Sequence, residues 1–153
     1  MTRPLVILRP DDAGRAAMLH MECFPDPWSA ASMRGLLKDP SILSLGIEQG
    51  GGLAAFIMGQ TVGTETDILT VATGEDYRRQ GLAGDLLAAL IGRCGARGVE
   101  RITLDVAEDN AAGRALYASH GFSEDGRRPR YYRAGRDIPV DGILMSRQLG
   151  IRA

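Results

Sequence analysis

The sequence is poor in the residues that build metal centres and disulfide frameworks. It contains two cysteines and two histidines in 153 residues, and Cys23 and Cys94 lie in no CxxC or Cys/His spacing. We therefore predict neither a metal site nor a disulfide framework. Cys94 falls on an apolar helical stripe and is interpreted as a core residue, and neither His20 nor His120 is predicted to be catalytic.

A strong charge of one sign and long apolar runs are absent as well. The formal net charge is -1, which argues against a nucleic-acid-binding module because phosphate neutralisation needs a basic surplus. No segment approaches the roughly 18 apolar residues of a membrane span, and the N-terminal apolar run is too short for a signal peptide. We expect a cytoplasmic monomer or weak dimer with no membrane or direct nucleic-acid partner, folded as one domain over residues 1–153.

The apolar pattern of the first half predicts a strand, two helices and the start of an antiparallel meander. A strand at 5–9 precedes a helix at 10–24. Pro25 and Pro27 end that helix, and Ser29 is the predicted N-cap of the next one. Two apolar runs joined by a glycine-rich turn then indicate a β-hairpin.

The second half predicts a crossover between parallel strands. A strand at 64–73 leads to a glycine-rich segment and a helix at about 79–97, and a strand–helix pair closed by Gly121 follows before two late strands. The element order is β-α-α-β-β-β-α-β-α-β-β. This order indicates a mixed α/β fold, an α+β type of mixed sheet with a βαβ crossover in the middle.

The turn that precedes the third helix, "YRRQGLAGDLL" (77–87), has an unusual composition for a helix start. Gly81 and Gly84 each cost up to ~1 kcal/mol of helix stability relative to alanine, and Arg78 and Arg79 add positive charge at the end where the helix dipole is already positive. A bound pyrophosphate would explain both features, because free N–H groups at a helix N-terminus bind anions. A surface helix that simply tolerates glycine is the alternative, and the segment is neither a P-loop nor a GxGxxG turn.

The segment "LDVAEDNAAGRALY" (104–117) places a carboxylate, an amide and a phenol where a strand meets a helix. Asn110 and Tyr117 lie two turns apart, so both can face the same side of the helix. Simpler interpretations are open for each residue: Asp105 on an exposed strand face, Asn110 as an N-cap, and Tyr117 as a packed core residue.

Several motifs, in the same order along the chain, resemble the GNAT superfamily of N-acetyltransferases. "RRQGLA" (78–83) fits the family signature [QR]-x-x-G-x-[GA], and the resemblance covers essentially the whole chain. "PWS" (27–29), "ILTVAT" (68–73), "NAAGRALYASHGF" (110–122) and "RYY" (130–132) are most similar to the RimI-type ribosomal-protein N-terminal-alanine acetyltransferases. The resemblance implies a GNAT fold whose central sheet splays to admit acyl-CoA, with acetyl-CoA as co-substrate and no metal.

The resemblance also implies two catalytic roles. Tyr117 matches the proposed general acid, and Asp105 stands where the family has a glutamate as the proposed base. Aspartate is one methylene shorter, which reduces its direct reach by about 1.5 Å, a gap that one water molecule could span. Glu65 and Asp67, which share one face of the third strand, are reserve candidates for the base.

Two binding regions follow from the same resemblance. Backbone groups of the glycine-rich turn would hold the pyrophosphate, strand atoms would bind the pantetheine arm, and an asparagine would lie near the thiol; the residues concerned are Val71, Thr73, Arg78, Arg79, Gln80, Gly81, Leu82, Ala83, Gly84 and Asn110. The acceptor peptide would contact Trp28, Met33, Tyr131 and Tyr132. The arginine-rich run at 126–136 would lie beside the acceptor groove, although such a run can equally be a solvated hairpin.

The resulting hypothesis is acetyl transfer from acetyl-CoA to the N-terminal amine of a protein, with alanine preferred and a small-subunit ribosomal protein as the substrate. The amine would attack the thioester directly, with a general base and a tyrosine general acid. An α-amine with a pKa of about 8 is roughly one-tenth neutral at pH 7, so a modest base is sufficient. A GNAT enzyme acting on a small amine or a lysine side chain is one alternative, and a non-catalytic acyl-CoA-binding regulatory domain is another.

Overall fold

The computed structural model describes residues 4–150, and within them the order of strands and helices is the predicted one. The elements are β1 (Val6–Ile7), α1 (Ala13–Cys23), α2 (Ala30–Lys38), β2 (Ile42–Gln49), β3 (Gly52–Val62), β4 (Glu65–Thr73), α3 (Leu82–Ala96), β5 (Arg101–Ala107), α4 (Ala111–Ser119), β6 (Ser123–Tyr132) and β7 (Val140–Gln148). Short 3-10 turns at Pro10–Asp12 and Glu75–Tyr77 precede α1 and α3. None of the helices in this part of the chain is both long and apolar enough to cross a membrane.

All the strands described belong to one sheet with the order β1-β2-β3-β4-β5-β7-β6. The pair β4–β5 is parallel, and every other neighbouring pair is antiparallel. Parallel neighbours need a long crossover connection, and α3 provides it. The predicted mixed sheet with an initial meander and a central crossover is therefore confirmed.

The sheet opens along the parallel pair. Pairing of β4 with β5 runs only from Glu65 opposite Arg101 to Asp67 opposite Thr103, after which the two strands separate. A β-bulge in β4 at Leu69 accompanies the separation, because Met58 pairs with Thr70 while Gly59 pairs with Ile68. Bulges bend a strand and increase its twist. The splayed centre expected from the family resemblance is thus present.

Helices cover both faces of the sheet and bury alternate residues of the strands. Leu82, Leu86 and Leu90 of α3 are at most 1% exposed and pack on one face, together with Cys94, which is a core residue as predicted. The other face carries α1 and α2 over a second cluster. Each fully buried leucine contributes roughly 1.5–3 kcal/mol, so α3 is held firmly behind the opening.

Two boundaries differ from the sequence prediction near the site. Helix α3 begins at Leu82 rather than at about 79, because Arg79 and Gly81 have positive φ angles of 63° and 79°. A left-handed backbone cannot continue a right-handed helix. The first strand is also shorter than the predicted 5–9 and comprises Val6–Ile7.

The arginine-rich run at 126–136 is mostly strand rather than hairpin turn. Strand β6 continues to Tyr132, but its pairing with β7 is irregular between Arg128 and Tyr132. Arg130 has a φ of 55°, and its N–H donates to the Asp141 carboxylate at 3.0 Å instead of to a strand carbonyl. This wide bulge turns the end of β6 across the opening of the sheet.

Candidate active site

A pocket of about 1000 Å³ lies where β4 and β5 separate. Its walls come from α1 and the loop after it, β4, β5, the start of α4, and the end of β6 with its following loop. Predicted site residues brought together in its lining are Trp28, Val71, Asp105, Asn110, Tyr117, Tyr131 and Tyr132. A separate depression of about 530 Å³ between α4 and β6 contains none of the predicted residues.

The Asp105 carboxylate has an oxygen without a hydrogen-bond donor. Oδ1 is buried and unbonded, and the nearest cation, Nε of Arg128, is 3.6 Å away. That separation allows charge attraction but is too long for a hydrogen bond. Buried polar atoms normally have a hydrogen-bond partner. This oxygen has none within the protein, so it can accept a proton or a hydrogen bond from a ligand. Thr70 Oγ1, also on the pocket wall, is a second buried atom without a partner.

Asp67 and Asp105 face the pocket from the two diverging strands. Thr103 Oγ1 donates to Asp67 at 2.8 Å. Partial loss of hydration raises the pKa of the Asp67 carboxyl, and the charge of Asp105 raises it further. The residue as a whole remains exposed, so we use only the direction of this pKa shift. The pocket thus carries two carboxyl groups, one on each of the diverging strands.

Glu65, the other reserve base, lies outside the pocket. It is exposed and forms an ion pair with Arg101 at 3.3 Å. Its position at the paired end of β4 places it before the strands separate.

Tyr117 extends from α4 into the pocket as a protonated phenol. Its ring meets Phe122 edge-on at 5.9 Å, and loss of water raises the pKa of its hydroxyl to about 12. A thiol in water has a pKa of about 8.5, so transfer from this phenol to a hydrated thiolate is uphill. The same desolvation raises the pKa of a thiolate held in the pocket. Tyr117 is therefore suited to donate to a buried sulfur.

Tyr132, predicted as a peptide contact, lines the pocket. Burial raises the pKa of its hydroxyl to about 12, and the charges of Asp105, Tyr131 and Tyr117 add to this. Asp105, Tyr117 and Tyr132 all line the same pocket. Tyr131 is 51% exposed, crosses Tyr132 at 5.1 Å, and has the Arg128 guanidinium over its ring at 5.2 Å.

The first backbone N–H groups of α3 lie outside its helical ladder. The first intrahelical bond runs from Asp85 N–H to the Gly81 carbonyl at 3.0 Å, so the N–H groups of Leu82, Ala83 and Gly84 precede the helical ladder. Gly81 supplies no side-chain cap, and nothing lies within 4 Å of where its Cβ would be. This open, positively polarised end fits a pyrophosphate.

The side chains of this turn are exposed, and Arg78 reaches back to β4. Arg78, Arg79 and Gln80 are all exposed, and Arg78 Nε donates to the Thr73 carbonyl at 3.4 Å. The Cys23 thiol donates to the same carbonyl at 3.3 Å, so this oxygen is already engaged. Burial raises the pKa of the Cys23 thiol, which makes it a poor nucleophile.

Asn110 starts α4 and also lines the pocket. Its side-chain oxygen accepts the Gly113 N–H at 2.9 Å, which is the N-cap interaction expected from the sequence. The cap uses the oxygen, so the amide nitrogen is the group left to meet a ligand.

The acceptor side of the pocket differs from expectation at Met33 and contains a residue that was missed. Met33 is fully buried in the core beneath α2 and does not reach the pocket. Trp28 lines the pocket and stacks on His20, with ring centroids 4.5 Å apart. His20 showed no partner in the sequence because its contacts form across a turn that contains two prolines.

Two loops meet at the rim of this side. A Cβ at Gly135 would lie 3.0 Å from Pro25 Cβ, which brings the β6–β7 loop against the α1–α2 loop. Arg136 forms a two-pronged ion pair with Asp109, with both N–O distances at 2.9 Å. The charge of Arg136 is therefore paired with Asp109 at the rim and does not form part of a free basic surface.

The family model described as Acetyltransferase (GNAT) family matches residues 15–122. The chain belongs to the GNAT family and is an acetyl-CoA-dependent N-acetyltransferase. The family resemblance found in the sequence is confirmed.

Within the family, the chain is similar to an enzyme named for ribosomal protein bS18 and to an enzyme named RimI. It is 36% identical over 142 residues to the [Ribosomal protein bS18]-alanine N-acetyltransferase of Escherichia coli (strain K12), covering 91% of this chain and 93% of that protein. It is 34% identical over 157 residues to N-alpha-acetyltransferase RimI of Mycobacterium tuberculosis, covering 97% and 96%. The predicted likeness to RimI-type members is thereby confirmed.

Solved structures show the same arrangement. The ribosomal-protein-S18-alanine N-acetyltransferase from Escherichia coli superposes with a TM-score of 0.91 at 32% identity, covering 98% of this chain and 96% of that chain. Arabidopsis thaliana NAA60 in complex with a bisubstrate analogue superposes with a TM-score of 0.85 at 20% identity, covering 95% and 97%. The second likeness is one of fold alone.

Proposed function

We propose that this protein acetylates the N-terminal amine of a protein chain, prefers alanine at that terminus, and acts on a small-subunit ribosomal protein. The observation that carries the proposal is the pocket at the opening of the sheet, which Asp105, Tyr117 and Tyr132 all line. It combines a carboxylate oxygen without a donor with phenols that stay protonated. The name of the Escherichia coli relative supports the choice of acceptor, and the name of the Mycobacterium tuberculosis relative supports transfer to an α-amine.

Asp105 is the proposed base. Acetyl-CoA supplies a thioester carbonyl, and the amine nitrogen forms a bond to that carbon while losing a proton to the carboxylate, directly or through one water. About a tenth of an α-amine is already neutral at pH 7, so the demand on Asp105 is modest. Asp67 holds a second proton-accepting site beside it.

Tyr117 is the proposed acid. As the carbon–sulfur bond breaks, its hydroxyl donates to the departing sulfur, which leaves as a thiol. A phenol with a pKa of about 12 is fully protonated throughout the physiological range, so this donor is always available. Cys23 has a raised thiol pKa, which favours direct attack over an acyl-enzyme intermediate.

Acetyl-CoA is proposed to bind along the opened edge of β4 and over the turn before α3. The turn would bind phosphate oxygens through its backbone donors, β4 would offer main-chain atoms to the pantetheine arm, and the Asn110 amide would lie near the thiol end. The residues assigned to this role are Val71, Thr73, Arg78, Arg79, Gln80, Gly81, Leu82, Ala83, Gly84 and Asn110.

The acceptor is proposed to enter from the side of Trp28, Tyr131 and Tyr132. The negative Asp67–Asp105 pair attracts an ammonium group, and the rim where Pro25 meets Gly135 narrows the approach. A chain terminus passes through a narrow opening more readily than the middle of a folded chain.

Purified enzyme with acetyl-CoA and paired peptides tests the proposal. We expect release of the CoA thiol with a peptide that starts with a free alanine, and none when the same peptide is blocked at its N-terminus. Acetylation confined to blocked, lysine-containing peptides would identify a side-chain enzyme instead. Binding of acetyl-CoA without thiol release on any amine would identify a regulatory domain. Mass spectrometry of ribosomal proteins from cells with and without this chain identifies the natural acceptor.

A further inference from the structure

Three aromatic rings stack at the end of α1, on the acceptor side of the pocket. The His20 imidazole lies between Phe24, with centroids 4.4 Å apart and planes at 28°, and Trp28, with centroids 4.5 Å apart and planes at 17°. His20 is 3% exposed, yet both it and Trp28 border the pocket. The stack therefore connects a buried titratable group to the proposed peptide-binding surface.

A hydrogen bond defines the charge state of this imidazole. The backbone N–H of Trp28 donates to His20 Nδ1 at 3.1 Å, so Nδ1 carries a lone pair and the ring proton is on Nε2. Burial lowers the pKa of His20 from its ordinary value. Both the contact and the burial favour the neutral ring.

The same bond is the main polar restraint on the loop between α1 and α2. Pro25 and Pro27 have no N–H to donate, and in the described structure the Trp28 N–H is the sole backbone donor between Pro25 and Trp28 with a bonded acceptor. Stacking fixes the plane of the Trp28 ring, and the bond fixes its backbone.

We propose that His20 is a positioning residue for the acceptor: as a neutral imidazole it holds Trp28 against the pocket, and its protonation releases the loop. This inference rests on the proposed function, because Trp28 matters only if a peptide binds there. A protonated Nδ1 would face the Trp28 N–H as a second donor, so this bond would be lost, and the loop would be held by its apolar contacts and by the hydrogen bonds of Phe24 and Ser29 at its two ends.

Burial alone lowers the pKa of His20, and the charged groups around the pocket do not contribute to this shift. Helix α2, which packs on α1, carries Arg34, paired with Asp11, and Lys38 in its last turn. The titratable and charged groups that border the same pocket are Cys23 on α1 itself and, from other elements, Asp26, Asp67, Asp105, Asp109, Tyr117, Tyr131, Tyr132, Arg133 and Arg136.

The chain provides its own optical reporter for this contact. Trp28 is the only tryptophan, and a cation over its ring face alters its emission. We expect the fluorescence of the substrate-free protein to change on acidification from about pH 8 to about pH 4, with a midpoint below the ordinary histidine value of about 6.5. His20→Asn should abolish the transition.

His120 provides the matched control, because it is the only other histidine. Its ring contacts the Leu116 carbonyl within α4, away from Trp28. His120→Asn should leave the fluorescence transition in place. The same transition in His20→Asn protein, or no transition in the wild-type protein, would overturn the coupling.

Kinetics separate positioning from a general structural effect. His20→Phe keeps a stacking ring but removes the acceptor, so we expect the KM for an N-terminal peptide to rise roughly tenfold, with kcat and the Kd of acetyl-CoA changed little. His20→Asn retains an acceptor near the position of Nδ1 and should stay within about threefold of wild type. An equal loss of acetyl-CoA affinity in His20→Phe would indicate a structural role and overturn the proposal.

The pH profile supplies a further readout if His20→Phe folds poorly. In the wild-type enzyme the acceptor KM should rise as pH falls through the lowered His20 pKa, beyond the rise caused by amine protonation. His20→Asn should lose this additional rise, and an unchanged profile contradicts the inference. If the wild-type enzyme is active and substitution of His20 changes neither the acceptor KM nor the fluorescence transition, this inference alone is overturned. A wild-type enzyme that acetylates no free N-terminus overturns the proposed function as well.

Discussion

At the scale of single residues, the proposed chemistry depends on an unusual pair of environments. Asp105 Oδ1 is buried without a hydrogen-bond donor, whereas the Tyr117 hydroxyl is deprived of water and held protonated. A carboxylate oxygen without a hydrogen-bond donor can accept a proton, and a phenol that stays protonated can donate one. The two groups face the same cavity from β5 and α4.

Removing the Tyr117 hydroxyl should slow the chemical step. We expect Tyr117→Phe to lower kcat by roughly 10²-fold or more, the usual contribution of a positioned acid, while the Kd of acetyl-CoA stays nearly constant because the ring remains. Steady-state kinetics and a binding titration measure the two effects. Tyr77→Phe, outside the pocket, is the control. An unchanged turnover in Tyr117→Phe would remove this residue from the mechanism.

Removing the charge of Asp105 should have a pH-dependent effect. We expect Asp105→Asn to reduce kcat/KM most below about pH 8, where free amine is scarce, and to matter less as the amine deprotonates by itself. Rates measured across the pH range test this. Asp67→Asn, on the facing strand, shows whether the second carboxyl shares the role. A deficit that is equal at every pH would indicate that Asp105 is structural.

At the scale of elements, the site is created by how β4 and α3 are interrupted. The bulge at Leu69 separates β4 from β5, and the left-handed Arg79 and Gly81 delay the start of α3. The delay exposes N–H groups that a longer helix would have consumed. The composition of this turn was compatible with a bound anion and with a surface helix that tolerates glycine. The helix boundary depends on φ angles that only Gly81 signalled in the sequence.

A substitution at Gly81 tests the turn. Gly81 has a φ of 79° with free space around it, so alanine would meet backbone strain of roughly 1–2 kcal/mol rather than a steric clash. We expect Gly81→Ala to weaken acetyl-CoA binding and to lower the Tm. Gly92→Ala, in the same helix with free space and no positive φ, should raise the Tm by removing a helix-destabilising glycine. Equal acetyl-CoA affinity in both variants would contradict a role of the turn in binding.

At the scale of the whole molecule, the buried tyrosine links the site to stability. The pKa of Tyr117 is raised from 10 to about 12 in the folded protein. Stability from this group is therefore fully present below about pH 10 and is lost as pH rises through about 12, by roughly 2–3 kcal/mol. Urea unfolding of wild type and Tyr117→Phe at successive pH values measures it. The variant should show a smaller alkaline loss, and part of the remainder is due to Tyr132 and to the cysteine thiols.

The sequence by itself determined the order of elements, the family and seven of the residues that line the pocket. Apolar stripes on helices, glycines in turns and the motif "RRQGLA" are local patterns, and the structures that they predict form within the same short segments. The cap at Asn110 and the buried Cys94 were accessible in this way, and the family resemblance implied that Asp105 and Tyr117 share one site.

Tertiary structure alone decided which polar atoms are left without partners and which side chains meet across loops. Met33 is in the core rather than in the groove, Glu65 pairs with Arg101 outside the pocket, and His20 bonds to the loop that carries Trp28. These outcomes depend on contacts between segments distant in sequence or across a turn, and on the burial that follows from them. No single stretch of sequence contains that information, because desolvation is a property of the assembled surface.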